Sequence, residues 1–221
     1  MKQLPLGVRL RTAAVFENFH AGPNLEALEA LRSGTDPLWI WGPPASGKTH
    51  VLQAACAASE GPCAYIPIAD GLLPPAALEG LENLTLLCID DVERAAGVEA
   101  WERALFRLFN AALETRCRLV FAARLAPGGL PWNLPDWASR AGACRIYQLR
   151  LLEDAGRIEA LRLRAEARGL ELPRETAEYL LRRMPRDQRT LFDLVDALDE
   201  ASLVAQRRLT VPFVRDALKL P

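Results

Sequence analysis

Hydrophobic and polar residues in the first twelve positions follow neither a helical nor a strand period, and they predict an extended tail. From Phe16 the pattern changes. Short apolar runs of strand length, at 38–41, 64–68, 86–89, 119–122 and 145–149, are separated by helical stretches such as 51–58 and 98–114. That alternation predicts a buried parallel sheet flanked by helices, an α/β architecture. Within 98–114, Trp101, Leu105, Leu108, Phe109 and Ala112 recur at helical spacing and mark a face packed on the sheet. After Arg150 the strand signals stop, and helices are expected at 154–168, 174–183, 187–207 and 211–218. Gly169 suits a helix C-terminus, and Thr210 with Val211 and Pro212 suits a helix start. The chain therefore reads as a tail over 1–12, a base domain over 13–150 and a small helical domain over 151–221.

Composition narrows the class. Half of the 221 residues are apolar, enough for a full core. No apolar run approaches the roughly 20 residues of a bilayer span, and the N-terminus lacks the apolar stretch of a signal peptide, so a cytoplasmic protein with no membrane contact is expected. The five cysteines are scattered without a Cys-x-x-Cys pair, and only two histidines accompany them, so they read as reduced, mostly buried thiols. Net charge is −1 and evenly distributed. Proteins that grip DNA directly concentrate Lys and Arg on one face or tail, so any contact with DNA is expected to be indirect.

The strongest chemical signal is Gly42-Pro43-Pro44-Ala45-Ser46-Gly47-Lys48-Thr49, placed between a strand and a helix as a phosphate-binding loop must be. Gly42 and Gly47 let the backbone turn its N–H groups toward phosphates, and the following helix N-terminus adds its dipole. Lys48 would neutralise the outer phosphates and the Thr49 hydroxyl would ligate Mg²⁺. Such a site needs a carboxylate at the end of a neighbouring buried strand, and Leu86-Leu-Cys-Ile-Asp90-Asp91 supplies it. Asp90 would hold the magnesium ion through water, and Asp91 would orient an attacking water. Two arginines leave alternatives open. Arg140, closing Leu134-Pro-Asp-Trp-Ala-Ser-Arg140, suits a reach to phosphate on a neighbouring molecule as well as it suits a surface residue at a helix C-terminus. Arg189, by its surroundings alone, reads as a solvated charge.

Taken together, Phe16-Glu-Asn-Phe19 with Gly22-Pro23-Asn24, the two phosphate-site motifs, Ser139-Arg140 and Arg186-Asp-Gln-Arg189-Thr-Leu resemble the DnaA-related AAA+ family over Phe16 to Leu220. The Leu134–Arg140 segment, Arg189-Thr-Leu-Phe192 and Leu209-Thr-Val-Pro-Phe-Val214 are most similar to its regulatory-inactivator branch. The resemblance implies a P-loop AAA+ nucleotide-binding base with a parallel sheet flanked by helices, and a small C-terminal helical lid. It implies ADP or ATP with Mg²⁺ as ligand, with Phe19, Pro23, Asn24 and His50 joining the loop residues and Arg189 closing over the nucleotide from the lid. It also implies that Arg140 is an arginine finger offered in trans to ATP on the initiator DnaA, so that the chain inactivates DnaA by stimulating hydrolysis of its ATP. Because the sequence ends at Pro221 with no basic domain, it is not expected to read origin DNA itself.

Gln3, Leu4, Pro5, Leu6 and Val8 in the tail are similar to the short peptide by which this branch docks on the DNA polymerase III sliding clamp (beta subunit). An extended tail can lay aliphatic anchors in a pocket while the Gln amide bonds at a second site. Ala122 and Ala123 stand where related ATPases place a polar sensor, which implies slow hydrolysis, whereas Asp91 implies the reverse. Whether the chain turns over ATP itself, and whether it forms a homodimer, the residues leave open. The alternative function is an independent AAA+ ATPase such as a helicase loader.

Overall fold

A computed structural model of the chain describes residues 14–68, 73–184, 190–191, 193–195, 197–199 and 209–218. Gln3, Leu4, Pro5, Leu6, Val8 and Arg189 lie outside the described residues. The described residues divide into two compact units. One comprises Asn24–Arg150 with 14–16, and the other comprises Glu17–Pro23 with the described residues after 150. Residues 17–23, read from the sequence as part of the base, thus cluster with the C-terminal helices.

In the first unit, β1 (Leu38–Trp41), β2 (Cys63–Pro67), β3 (Leu86–Asp90), β4 (Arg118–Ala123) and β5 (Arg145–Gln148) form one sheet in the order β2-β3-β4-β1-β5. All four pairings are parallel, with Leu38 opposite both Val120 and Arg145, and Pro67 opposite Asp90. Position in the sheet explains composition. Strand β3 is buried along its whole length and reads LLCID, whereas edge strand β5 is mostly exposed and reads RIYQ. Helix α1 (Leu25–Ser33) follows the N-terminal segment, α2 (Lys48–Ala57) follows β1, and α3 (Glu99–Thr115) precedes β4. On α3, Leu105, Leu108, Phe109 and Ala112 are buried as the spacing predicts, and Trp101 is partly buried against the same core.

Helix α1 has no counterpart among the elements read from the sequence pattern, and α4 (Pro135–Gly142) is foreshadowed only by the helix C-terminus offered as one alternative for Arg140. Both are short and depend on partners distant in sequence. The Arg118 guanidinium donates to the carbonyls of Ala30 and Leu31 at 2.7 Å each, closing the C-terminus of α1. Trp137 of α4 is fully buried, with ring centroids 5.5 Å from Phe121, 5.8 Å from Trp132 and 6.3 Å from Phe109, which seats α4 on the core. Edge-to-face pairs of this kind contribute about 0.5–1.5 kcal/mol beyond area burial.

The second unit packs α5 (Asp154–Glu166), α6 (Arg174–Arg183), helical positions within 190–199 and α7 (Val211–Ala217) around Leu161, Leu180, Leu191, Val195, Leu198 and Val214. Gly169 takes φ +75° beyond the end of α5, where the Leu170 N–H donates to the Ala165 carbonyl at 2.9 Å. Thr210 stands at the N-cap of α7 with Pro212 in its first turn. Among the described residues no helix is long and apolar enough to cross a membrane, and all five cysteines are free thiols.

Candidate functional site

Strand β1 delivers the chain to Gly42, whose N–H donates to the Ala123 carbonyl at 3.2 Å, while a Cβ at Gly42 would collide with the Leu149 carbonyl. The loop then passes through two left-handed residues, Ala45 at φ 63° and Gly47 at φ 93°, before α2 begins at Lys48. No side chain caps α2, so its first N–H groups stay available to an anion at the positive end of the helix. The Ser46 hydroxyl is buried and has no hydrogen-bond partner among the described residues. Lys48 is buried, and its Nζ donates to the carbonyls of Gly42 at 2.8 Å and Pro43 at 3.0 Å, lying over its own loop. Burial holds its ammonium below the ordinary lysine range, offset in part by Asp90, Glu93 and Asp91.

Asp90 at the end of β3 meets this loop. Its Oδ2 accepts from the Thr49 hydroxyl at 2.6 Å and from the Tyr65 phenol at 2.8 Å, and its Oδ1 accepts from the Asp91 N–H at 2.9 Å. Burial, reinforced by Asp90, pushes the Tyr65 phenol far above its ordinary value, so Tyr65 acts as a donor across the physiological range. Asp91 sits in the left-handed region at φ 55° and ψ 39°. Burial first, then the neighbouring Asp90 and Glu93, raise its carboxyl above the ordinary range.

Ala122 and Ala123 are fully buried inside β4, and the first side chain past the strand is Arg124. Its Nε pairs with Glu93 at 3.2 Å and its N–H donates to the same carboxylate at 3.3 Å. Tyr65 and the Glu93–Arg124 pair are site features that sequence reasoning missed. A Tyr within an apolar strand and an Arg just past another carry no local signal, and only the sheet order brings Tyr65 to Asp90 and Arg124 to Glu93.

The other expected residues distribute unevenly. The Asn24 amide donates to the Arg150 carbonyl at 3.0 Å and its oxygen accepts from the Arg150 N–H at 2.8 Å, so this buried side chain clamps two backbone segments. His50 Nε2 lies 3.0 Å from the Val15 carbonyl. Phe19 is half-buried and Pro23 exposed, both within the second unit. Phe16 is buried under the Arg32 guanidinium, 4.9 Å from the ring centroid.

Arg140 is exposed in the last turn of α4, and its guanidinium makes no ion pair among the described residues. The start of α4 is fixed by Glu102, a fully buried carboxylate that accepts from the N–H groups of Gly97 at 2.8 Å, Asn133 at 2.9 Å and Leu134 at 2.6 Å. With Trp137 buried one turn before it, Arg140 stands on a firmly held helix. No bond among the described residues joins it to Lys48, Thr49, Asp90 or Asp91.

Thr49 Oγ1 and Asp90 Oδ2 lie 2.6 Å apart, an oxygen pair that would suit a cation held mainly by phosphate and water oxygens, the manner in which Mg²⁺ is usually bound. Among the described residues no cluster of three His, Cys, Asp or Glu could hold a metal by itself. The arrangement can cradle a polyphosphate, supply a cation and a carboxylate to it, and polarise a water through Asp91.

Comparison with known proteins gives two findings. Residues 154–218 match the family model "Hda, lid domain". The chain is similar in structure to domain III of the Thermotoga maritima replication initiation protein DnaA, with a TM-score of 0.77 at 22% identity, covering 96% of this chain and 98% of that one. AMPPCP-bound DnaA from Aquifex aeolicus matches with a TM-score of 0.62 at 24% identity, over 80% of this chain and 61% of that one. The Thermotoga maritima RuvB Holliday junction branch migration motor matches at 0.66 and 18% identity, over 89% of this chain and 67% of that one. The chain therefore has the fold of DnaA domain III, and its residues 154–218 match an Hda lid domain.

Proposed function

We propose that this chain binds ADP or ATP with Mg²⁺ at the Gly42–Thr49 loop and regulates replication initiation by stimulating hydrolysis of DnaA-bound ATP while docked on the DNA sliding clamp. The observation that carries the reading is the Hda lid match over 154–218, joined to a base domain on which an exposed arginine stands on a firmly seated helix. AMPPCP in the DnaA neighbours supports an adenine nucleotide as the ligand.

In this reading the loop N–H groups and Lys48 hold the phosphates. Thr49 and Asp90 would hold Mg²⁺, which would neutralise charge on the phosphate oxygens. Arg189 closes on the chain's own nucleotide, and Phe19, Pro23, Asn24 and His50 belong to the base and ribose side; the Asn24 amide acts there through the Arg150 backbone it clamps. Arg140 is offered to ATP on DnaA, where a finger of this kind raises the hydrolysis rate by about 10³–10⁵. Gln3, Leu4, Pro5, Leu6 and Val8 tether the chain to the clamp, and DNA is reached only through these partners. A rival reading, an independent ATPase such as a helicase loader, is favoured by Asp91 standing beside Asp90.

Removing residues 1–10 separates the two. The proposal expects the full chain to accelerate ATP loss from DnaA only with clamp loaded on DNA, and the truncated chain to lose that clamp dependence. Equal activity of both forms with loaded clamp would refute the tether.

A further inference from the structure

We propose that Tyr65 is a positioning residue for the magnesium-bound state of the nucleotide site, acting through Asp90; the proposal rests on the reading of Gly42–Thr49 and Asp90 as that site. The geometry is specific. Pro67 of β2 lies opposite Asp90 of β3, and Tyr65, two residues earlier, shares the Pro67 face of the strand. Its phenol thereby reaches diagonally along the sheet to Asp90 Oδ2 at 2.8 Å, from a side chain that is only 8% exposed.

The same oxygen accepts from Thr49 at 2.6 Å, so one carboxylate atom serves two hydroxyl donors of different freedom. Thr49 lies in the first turn of α2 at the end of the phosphate loop, and its hydroxyl is the group a nucleotide-bound cation would recruit. Tyr65 is fixed within the sheet, with its phenol also in hydrogen-bonding reach of the Thr49 hydroxyl. When Thr49 turns to the cation, Tyr65 and the Asp91 N–H are the donors that remain on Asp90, one on each oxygen. They stop the carboxylate from rotating and keep its unused lone pairs aimed toward the cation's water shell. Outer partners of this kind typically govern about 10–100-fold in metal affinity.

The test uses the full chain and titrates ADP in the presence of Mg²⁺ and, separately, of EDTA. Tyr65→Phe keeps the ring and removes only the donor. The expected result is a loss of about tenfold in affinity for ADP with Mg²⁺ and no loss with EDTA, the EDTA arm also reporting that the variant is folded. Asp90→Asn should show the same magnesium-specific loss, and adding Tyr65→Phe to it should weaken binding no further, because the phenol acts through that carboxylate. Equal weakening in both media would make Tyr65 merely structural and overturn the proposal. Unchanged binding in both media would overturn it as well. If the unsubstituted chain binds no ADP in either medium, the site reading itself fails and the proposal falls with it, an outcome distinct from the other two.

Discussion

Two buried carboxylates in the first unit are satisfied in opposite ways. Glu102 is fully buried and held by backbone N–H groups of Gly97, Asn133 and Leu134, donors whose direction the fold fixes. Asp90 is 1% exposed and held on Oδ2 by two hydroxyls, which can rotate, accept as well as donate, or leave. The first arrangement fastens a loop to a helix permanently. The second is stable as it stands and can still exchange a partner for a cation. Burial alone therefore does not mark an acid as chemical; the kind of donor around it does.

Substituting the two acids sharpens that contrast. Glu102→Ala strands three part-buried backbone N–H groups and should cost about 3 kcal/mol in urea unfolding. The amide replacements discriminate better. Glu102→Gln presents an NH₂ group to fixed N–H donors and should cost about 2 kcal/mol, whereas in Asp90→Asn the hydroxyls of Thr49 and Tyr65 can turn to accept, holding the cost to about 1 kcal/mol or less. Equal costs would break the comparison.

Asp91 gives the smallest and most pH-specific effect. Its carboxyl is raised by burial and by Asp90 and Glu93, so ionising it opposes folding. The associated stability is full below the ordinary aspartate value of 3.8 and is lost as pH rises through the higher folded-state value. Asp91→Asn should match the parent in thermal unfolding toward pH 3.8 and melt slightly higher at neutral pH. A lower melting temperature at neutral pH would show that the Asp91 charge is stabilising.

Legibility in the sequence followed the range of the interactions. The turn from β1 into α2 was readable because Gly42, Gly47, Lys48 and Thr49 fall within eight consecutive residues, and β1, β3 and β4 were readable because strands covered on both faces are continuously apolar. The start of helix α4 was not, since it depends on a glutamate 32 residues away from Leu134. Helix α1 was missed for the same reason, its end being closed by Arg118, 87 residues from Leu31. Tyr65 required knowing that β2 lies beside β3. The clamp that Asn24 makes on Arg150 spans 126 residues and leaves no trace in local pattern.

The central claim is that Arg140 acts in trans on ATP held by DnaA, and it is tested most directly by the single-turnover rate at which DnaA converts bound ATP to ADP beside clamp loaded on DNA. The chain with Arg140 should accelerate that rate, and Arg140→Ala should remove about 10³-fold or more of the acceleration while binding its own ADP normally. Full acceleration by Arg140→Ala, or none by the unsubstituted chain, would contradict the account.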